Sequence, residues 1–223
     1  MKTRLKRYRH FAAFYKDANS KFNRLASADK RHRELEPLYS LCVTPGGRFG
    51  GLDERLVEIF YGNRPIDRVT VLSEIERDGH RFPSPTSKLV KEHGATLQYR
   101  RVIDGKVICL LLPAGNDEMR PSESAICLSR PFDPARLDDS DYLTQGHWNC
   151  LMSYMQCTSI DGSPTLWDRI RIGRMRFCKP LLVGQETRGA RIWTWLGRVL
   201  SFSMTVGLSG FLLAIILMLF SKK

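Results

Sequence analysis

The sequence predicts an α+β fold: a small cytoplasmic domain of helices and antiparallel strands, followed by a single C-terminal transmembrane helix. Three observations predict it. Residues 199–221 run for twenty-three positions without a charge. Upstream, apolar residues recur at helical spacing and then change to alternation around an Asp-Gly pair. Charge is also partitioned: residues 1–36 carry +7, residues 37–163 carry −3, residues 164–198 carry +6, and the two last lysines complete the net +12. The boundaries follow those shifts: a basic amphipathic helical segment at 1–36, the α+β domain at 37–163, a basic juxtamembrane segment at 164–198 and the transmembrane helix at 199–221.

In the first segment Leu5, Tyr8, Ala12, Tyr15, Phe22 and Leu25 stand at helical spacing among lysines and arginines, with a break expected near Asn19 and Ser20. Such a helix can lie on a membrane surface, bind nucleic-acid phosphates, or pack on the domain with a solvated basic face. Its first residues lack the long apolar run of a secretory signal.

Leu38 to Val43 reads as a short strand leading into TPGGRFGG. A strand, a Gly-rich loop and a helix start would form a phosphate cradle, but the Lys-Ser/Thr ending of a Walker loop is absent, so a turn is the better reading. Asp53 and Asp67 then stand as helix caps, predicting helices to Tyr61 and to about Asp78, with a third from Thr86 to His93. Ala95 to Val102 alternates, Asp104-Gly105 is a hairpin turn, and Lys106 to Leu112 and Ala125 to Ser129 read as strands. Three helices before a hairpin is the element order of a winged helix. The third helix offers a reading surface of only Lys88 and Lys91, without an Arg or Asn cluster for base edges.

Asp133, Asp138, Asp139 and Asp141 precede a helix from about Ser140 to Cys157. They can cap and complement its positive end or hold a hard cation, and the first is the commoner use. His147 and Cys150 share a face of that helix like half a zinc site, but Cys157 lies about 15 Å further along and cannot complete it. Ser163-Pro164 reads as the cap of a last soluble helix in which Leu166, Trp167, Ile170, Met175 and Phe177 mix with four arginines, a pattern suited to headgroup depth. Leu181 to Val183 reads as a final strand.

The uncharged stretch spans roughly 34 Å as a helix, against a hydrocarbon core of about 30 Å. Thirteen of its residues are Leu, Ile, Val or Phe. Lys179, Arg188, Arg191 and Arg198 on its upstream side, against Lys222 and Lys223 downstream, put the bulk of the chain in the cytoplasm. Trp193 and Trp195 mark the interface, with Arg191, Arg198, Lys222 and Lys223 at headgroup level. Ser203, Gly207, Gly210 and Ala214 form one small-residue stripe along which a second helix can approach.

No Ser/His/Asp order, HExxH, GxSxG, Walker loop or metal-spaced Cys/His set is present, and the six cysteines form no CxxC pair. A non-enzymatic protein is therefore expected, without cofactor or metal. The main expectation is a single-pass protein in an anionic membrane, the inner membrane if bacterial, whose cytoplasmic domain binds a protein partner or signal. The alternatives are a membrane-perturbing effector that forms a homo-oligomer through its transmembrane helix, and a membrane-tethered DNA binder.

Overall fold

The computed structural model describes residues 2–48, 51–77, 80–116, 124–139, 141–183, 186–189, 192, 194–198 and 201. The chain begins with α1 (Lys2–Ala28) and α2 (Lys30–Leu35), then β1 (Leu41–Pro45), β2 (Leu56–Tyr61), β3 (Asn63–Arg77), β4 (His80–His93), β5 (Thr96–Arg101), β6 (Val107–Leu112), β7 (Gly115–Asn116) and β8 (Ala125–Phe132). It continues through α3 (Ala135–Asp139), α4 (Asp141–Thr158), α5 (Leu166–Cys178), β9 (Leu181–Val183) and β10 (Glu186–Arg188).

Among the described residues all strand pairings are antiparallel. Seven strands form one sheet in the order β1-β2-β5-β6-β8-β9-β10, and β3-β4-β7 form a second. The mixed α and antiparallel β class read from the sequence is what the chain adopts. Alternation puts Val57, Ile59 and Tyr61 of β2 and Leu97 and Tyr99 of β5 on the core face, where each is 1% exposed or less. Against them pack Phe11, Phe14 and Phe22 of α1 and Trp148, Leu151, Met152 and Met155 of α4. The rings of Phe14 and Phe22 lie 5.1 and 5.9 Å from that of Tyr99, which joins helix layer to sheet.

The first helix therefore belongs to the core, with its inward stripe made by Phe11, Phe14, Ala18, Phe22 and Ala26. That stripe is rotated from the one the sequence suggested: Leu5 and Ala12 face solvent. The helix is continuous through Asn19 and Ser20 and breaks at Asp29, which caps α2 by accepting from the Arg31 backbone N–H. Its basic side meets the acidic cluster directly. Arg7 pairs with Asp133 at 2.9 Å, His10 with Asp138 at 2.6 Å, and Lys21 and Arg24 with Asp141 at 3.3 and 2.7 Å. The aspartates thus hold α1 against α3 and α4, and among the described residues no group of His, Cys, Asp and Glu is arranged to hold a metal ion.

The largest departure from the sequence reading spans residues 53–93. The three helices expected at 53–61, 67–78 and 86–93 are strands β2, β3 and β4, so the winged-helix element order does not exist here. Leu56, Ile59 and Phe60 mimic helical spacing, but the buried apolar set in β2 is Val57, Ile59 and Tyr61. In β3 and β4 the cause is different. The ribbon is exposed on both faces from residue 67 to 72 and through most of 83 to 89, so no buried face imposes a period of two on the sequence. The signals that remain are the β-branched run Val69-Thr70-Val71, the prolines at 83 and 85, and a second Asp-Gly pair at 78 and 79.

The Gly-rich stretch closes the β1–β2 hairpin, with Gly46 and Gly47 at φ +88° and +81°. No helix follows it, so the phosphate-cradle setting is absent, and Arg48 folds back onto Glu58 at 3.4 Å and over the Phe60 ring. Helix α5 is capped by Thr165 in a capping box with Asp168, two residues beyond the cap read from the sequence. Among the described residues no helix is long and apolar enough to cross a membrane. The predicted span, apart from Ser201, lies outside the described residues.

Candidate membrane-facing surface

α5 is apolar on two opposite sides. Its inner side sets Ile172 and Met175 against the core cluster, with Asp168 also buried. Its outer side carries Leu166, Ile170 and Phe177, which are 73%, 51% and 40% exposed. These residues, with Gly173 between them, recur at intervals of four, three and four and so form one stripe along the helix. Helical geometry puts Arg169 and Arg176 on one flank of the stripe and Arg174 with Trp167 on the other. Trp167 is 75% exposed. An isolated exposed Leu needs no explanation, but a stripe this long, edged by arginines, does.

The inner side is fixed by a polar network that ties three helices together. Arg31 donates from Nη1 to Asp168 Oδ1 at 3.2 Å and from Nη2 to Asp29 Oδ2 at 2.8 Å and Asn149 Oδ1 at 2.6 Å. Ser153 Oγ donates to Asp168 Oδ1 at 2.6 Å, and the Thr165 hydroxyl and backbone N–H donate to Asp168 Oδ2 at 2.6 and 3.0 Å. Trp148 Nε1 donates to Asp29 at 3.0 Å. Burial pushes the Asp168 carboxyl up, but the bonds from Ser153, Thr165 and Arg31 outweigh it, leaving the group below its ordinary range. Asp29 is lowered in the same way, burial being outweighed by Arg31 and Trp148. Arg171 adds a bond to Ser153 Oγ at 2.9 Å. Rotation of α5 about its axis would break this set, so the outer stripe is held outward.

The segment that leads to the uncharged stretch meets that stripe. Residues 194–198 are helical, and the Trp195 ring lies 6.5 Å from that of Phe177. Trp195 is half exposed and Arg198 is exposed. Of the interface residues read from the sequence, Trp195 is therefore placed beside the amphipathic helix, and Arg198 is exposed three residues further along the same short helical stretch. Trp193, Arg191, Lys222 and Lys223, and the stripe Ser203, Gly207, Gly210 and Ala214, lie outside the described residues.

Other chemistry-bearing residues are accounted for by packing. His147 is buried, with Nδ1 at 3.0 Å from the Tyr99 hydroxyl, and burial lowers its pKa to about 4, so it is neutral near pH 7. Cys109 is fully buried, and burial raises its thiol well above the ordinary range, which makes it a core residue and no nucleophile. The outer stripe of α5 was half visible in the sequence. Its apolar–arginine mixture was legible, but the division into an inner and an outer side needs the position of α4.

No family model, curated protein or solved structure matches this chain.

Proposed function

We propose that this chain is a single-pass, membrane-anchored interaction module without enzymatic activity. In this reading residues 199–221 cross the bilayer and the α+β body rests on the anionic cytoplasmic leaflet through the outer side of α5. The observation that carries it is the exposed stripe Leu166, Ile170 and Phe177, edged by arginines and touching Trp195. Apolar side chains between snorkelling arginines suit the boundary between headgroups and acyl chains, where each Lys or Arg contributes about 1 kcal/mol next to anionic lipid. The ribbon β3–β4, projecting from the body, is the surface offered to a protein partner.

The full chain is expected in the membrane fraction after alkaline extraction. A chain lacking residues 199–223 is expected to bind anionic vesicles peripherally, and Ile170→Glu with Phe177→Glu should weaken that binding at least tenfold by placing two carboxylates at the acyl boundary. A full chain recovered in the alkaline supernatant would contradict the reading.

The four-residue small stripe in the span favours a second reading, an effector that depolarises the membrane by self-association. Loss of membrane potential on expressing the full chain, abolished by Gly207→Leu with Gly210→Leu, would select it.

A further inference from the structure

The ribbon β3–β4 has two unlike edges. Its fifteen-residue strand β3 is about 50 Å long. At its base Arg64 pairs with Glu92 at 3.1 Å and with Asp161, and Glu92 also accepts from the Ile160 backbone N–H, so the ribbon is fixed to the body there. Beyond that base, Arg68, Val71 and Leu72 of β3 and Leu89 of β4 are exposed. The outer edge of β4 is partly covered by β7, at Glu92 and His93, and it carries Pro83 and Pro85, which have no N–H to offer a further strand. The outer edge of β3 pairs with no strand among the described residues. From Ile66 to Arg77 it contains no proline. Among the described residues one edge is blunted and the other is open.

The open edge is complementary to itself. When two copies of β3 are set antiparallel about a twofold axis at Leu72, Leu72 faces Leu72. In the same register Val69 faces Ile75, Arg68 faces Glu76 and Asp67 faces Arg77. The axis repeats every pair except the central one, so four opposite-charge pairs and two Val–Ile pairs arise together. Directly opposed cross-strand residues are the unit of sheet stabilisation, and like charges there are unfavourable, so this pattern selects one register. A shift of one residue either way brings Arg68 opposite Ile75 or Arg77 and loses the match. The contact is isologous and closes as a dimer, which leaves no open edge to propagate.

We propose that β3 of one copy pairs antiparallel with β3 of a second copy about Leu72, making a four-stranded sheet β4-β3-β3-β4 across the dimer. The partner of the interaction module is then another copy of the chain, met through the ribbon and not through the small-residue stripe of the span. The inference rests on the interaction-module reading, and its test follows contact between chains, which is independent of whether the body touches lipid.

The test uses the full chain in membranes and in mild detergent. Leu72→Cys is expected to form an inter-chain disulfide on mild oxidation, above the level given by the six native cysteines. Directly facing residues in an antiparallel pair have Cα atoms about 4.5–5.5 Å apart, within the range a disulfide needs. Val69→Cys should not cross-link, since its two copies stand roughly 20 Å apart along the ribbon. Arg68→Glu and Glu76→Arg, each alone, replace two attractive pairs with two repulsive ones and should weaken dimerisation roughly tenfold to a hundredfold, measured by sedimentation. The two together restore opposite charges and should restore the dimer. Equal cross-linking at positions 69 and 72, failure of the double variant to recover, or a monomeric parent chain would overturn the proposal. So would a dimer that survives both single reversals and is lost with Gly207→Leu and Gly210→Leu, because it would place the contact in the span.

Discussion

Asp168→Ala is expected to destabilise the chain by about 3 kcal/mol, the lower part of the range for removing one partner of a buried ion pair, because Arg31 keeps Asp29 and Asn149 as partners. The Asp168 side chain is 4% exposed and accepts from Ser153, Thr165 and Arg31, so its loss takes the acceptor from the buried Ser153 hydroxyl and from both Thr165 donors, and breaks the capping box of α5. Denaturant unfolding of the chain lacking residues 199–223 measures it. The pH dependence gives an independent signature. Asp29 and Asp168 have folded-state values below the unfolded value of about 3.9, so their contribution is complete above that pH and is lost as pH falls through the folded values. His147 acts over a separate window. Its folded value of about 4 lies below the unfolded value of about 6.5, so the unfolded state takes up the proton first and stability falls between those two pH values. The Asp168→Ala chain should keep the loss between about pH 6.5 and 4 and show a smaller further loss below about pH 4. An unchanged profile below that pH would show that Asp168 carries no folded-state charge pairing.

Gly94→Ala is expected to cost about 2–3 kcal/mol, in the upper part of the range for overpacking. Gly94 sits where the body sheet passes into the ribbon, between β4 and β5. A Cβ there would overlap the carbonyl and Cβ of Tyr61, and these are not the ends of a flexible side chain. Tyr61 cannot yield easily: its backbone N–H donates to Ala95 O at 3.3 Å, and its hydroxyl lies 2.8 Å from His32 Nδ1 in the core. The same substitution at Gly146, in α4 with nothing within 4 Å of a new Cβ, should instead stabilise the chain by about 0.5–1 kcal/mol through helix propensity. Paired unfolding curves for the two variants decide it. Equal effects would mean that the approach of Gly94 to Tyr61 is not a constraint of the fold.

The elements legible in the sequence are those whose burial marks the residue order. The first helix and α5 set one stripe against the core, α4 and β6 carry runs of buried residues at 151–156 and 109–111, and the β5–β6 hairpin is marked by Asp104-Gly105. The ribbon was misread as helices because neither of its faces is buried along most of its length, and Val69, Leu72 and Ile75 fall three apart as they would on a helix. The face of α1 was misplaced because Phe11 and Phe14 were passed over for Leu5, Tyr8 and Ala12, and only the position of Tyr99 decides between those stripes. For the candidate surface, the arginines and apolar residues of α5 could be read, and the cap at Thr165 was missed by two residues. The outward stripe was hidden, since the distinction between a residue facing α4 and one facing away is a tertiary fact.

The most direct test of the proposed placement on the bilayer is the depth of α5 in the full chain, reconstituted in vesicles containing anionic lipid. A nitroxide attached through Ile170→Cys, with the exposed Cys178 replaced by Ser, reports contact with lipid-soluble and water-soluble relaxation agents. A label at Leu52, which is 89% exposed in the β1–β2 connection, serves as reference at the opposite end of the main sheet from β8 and β9. The predicted result is that the label at 170 lies at the headgroup–acyl boundary while that at 52 is in water. A label at 170 as water-exposed as the one at 52 would contradict a body resting on the bilayer through α5.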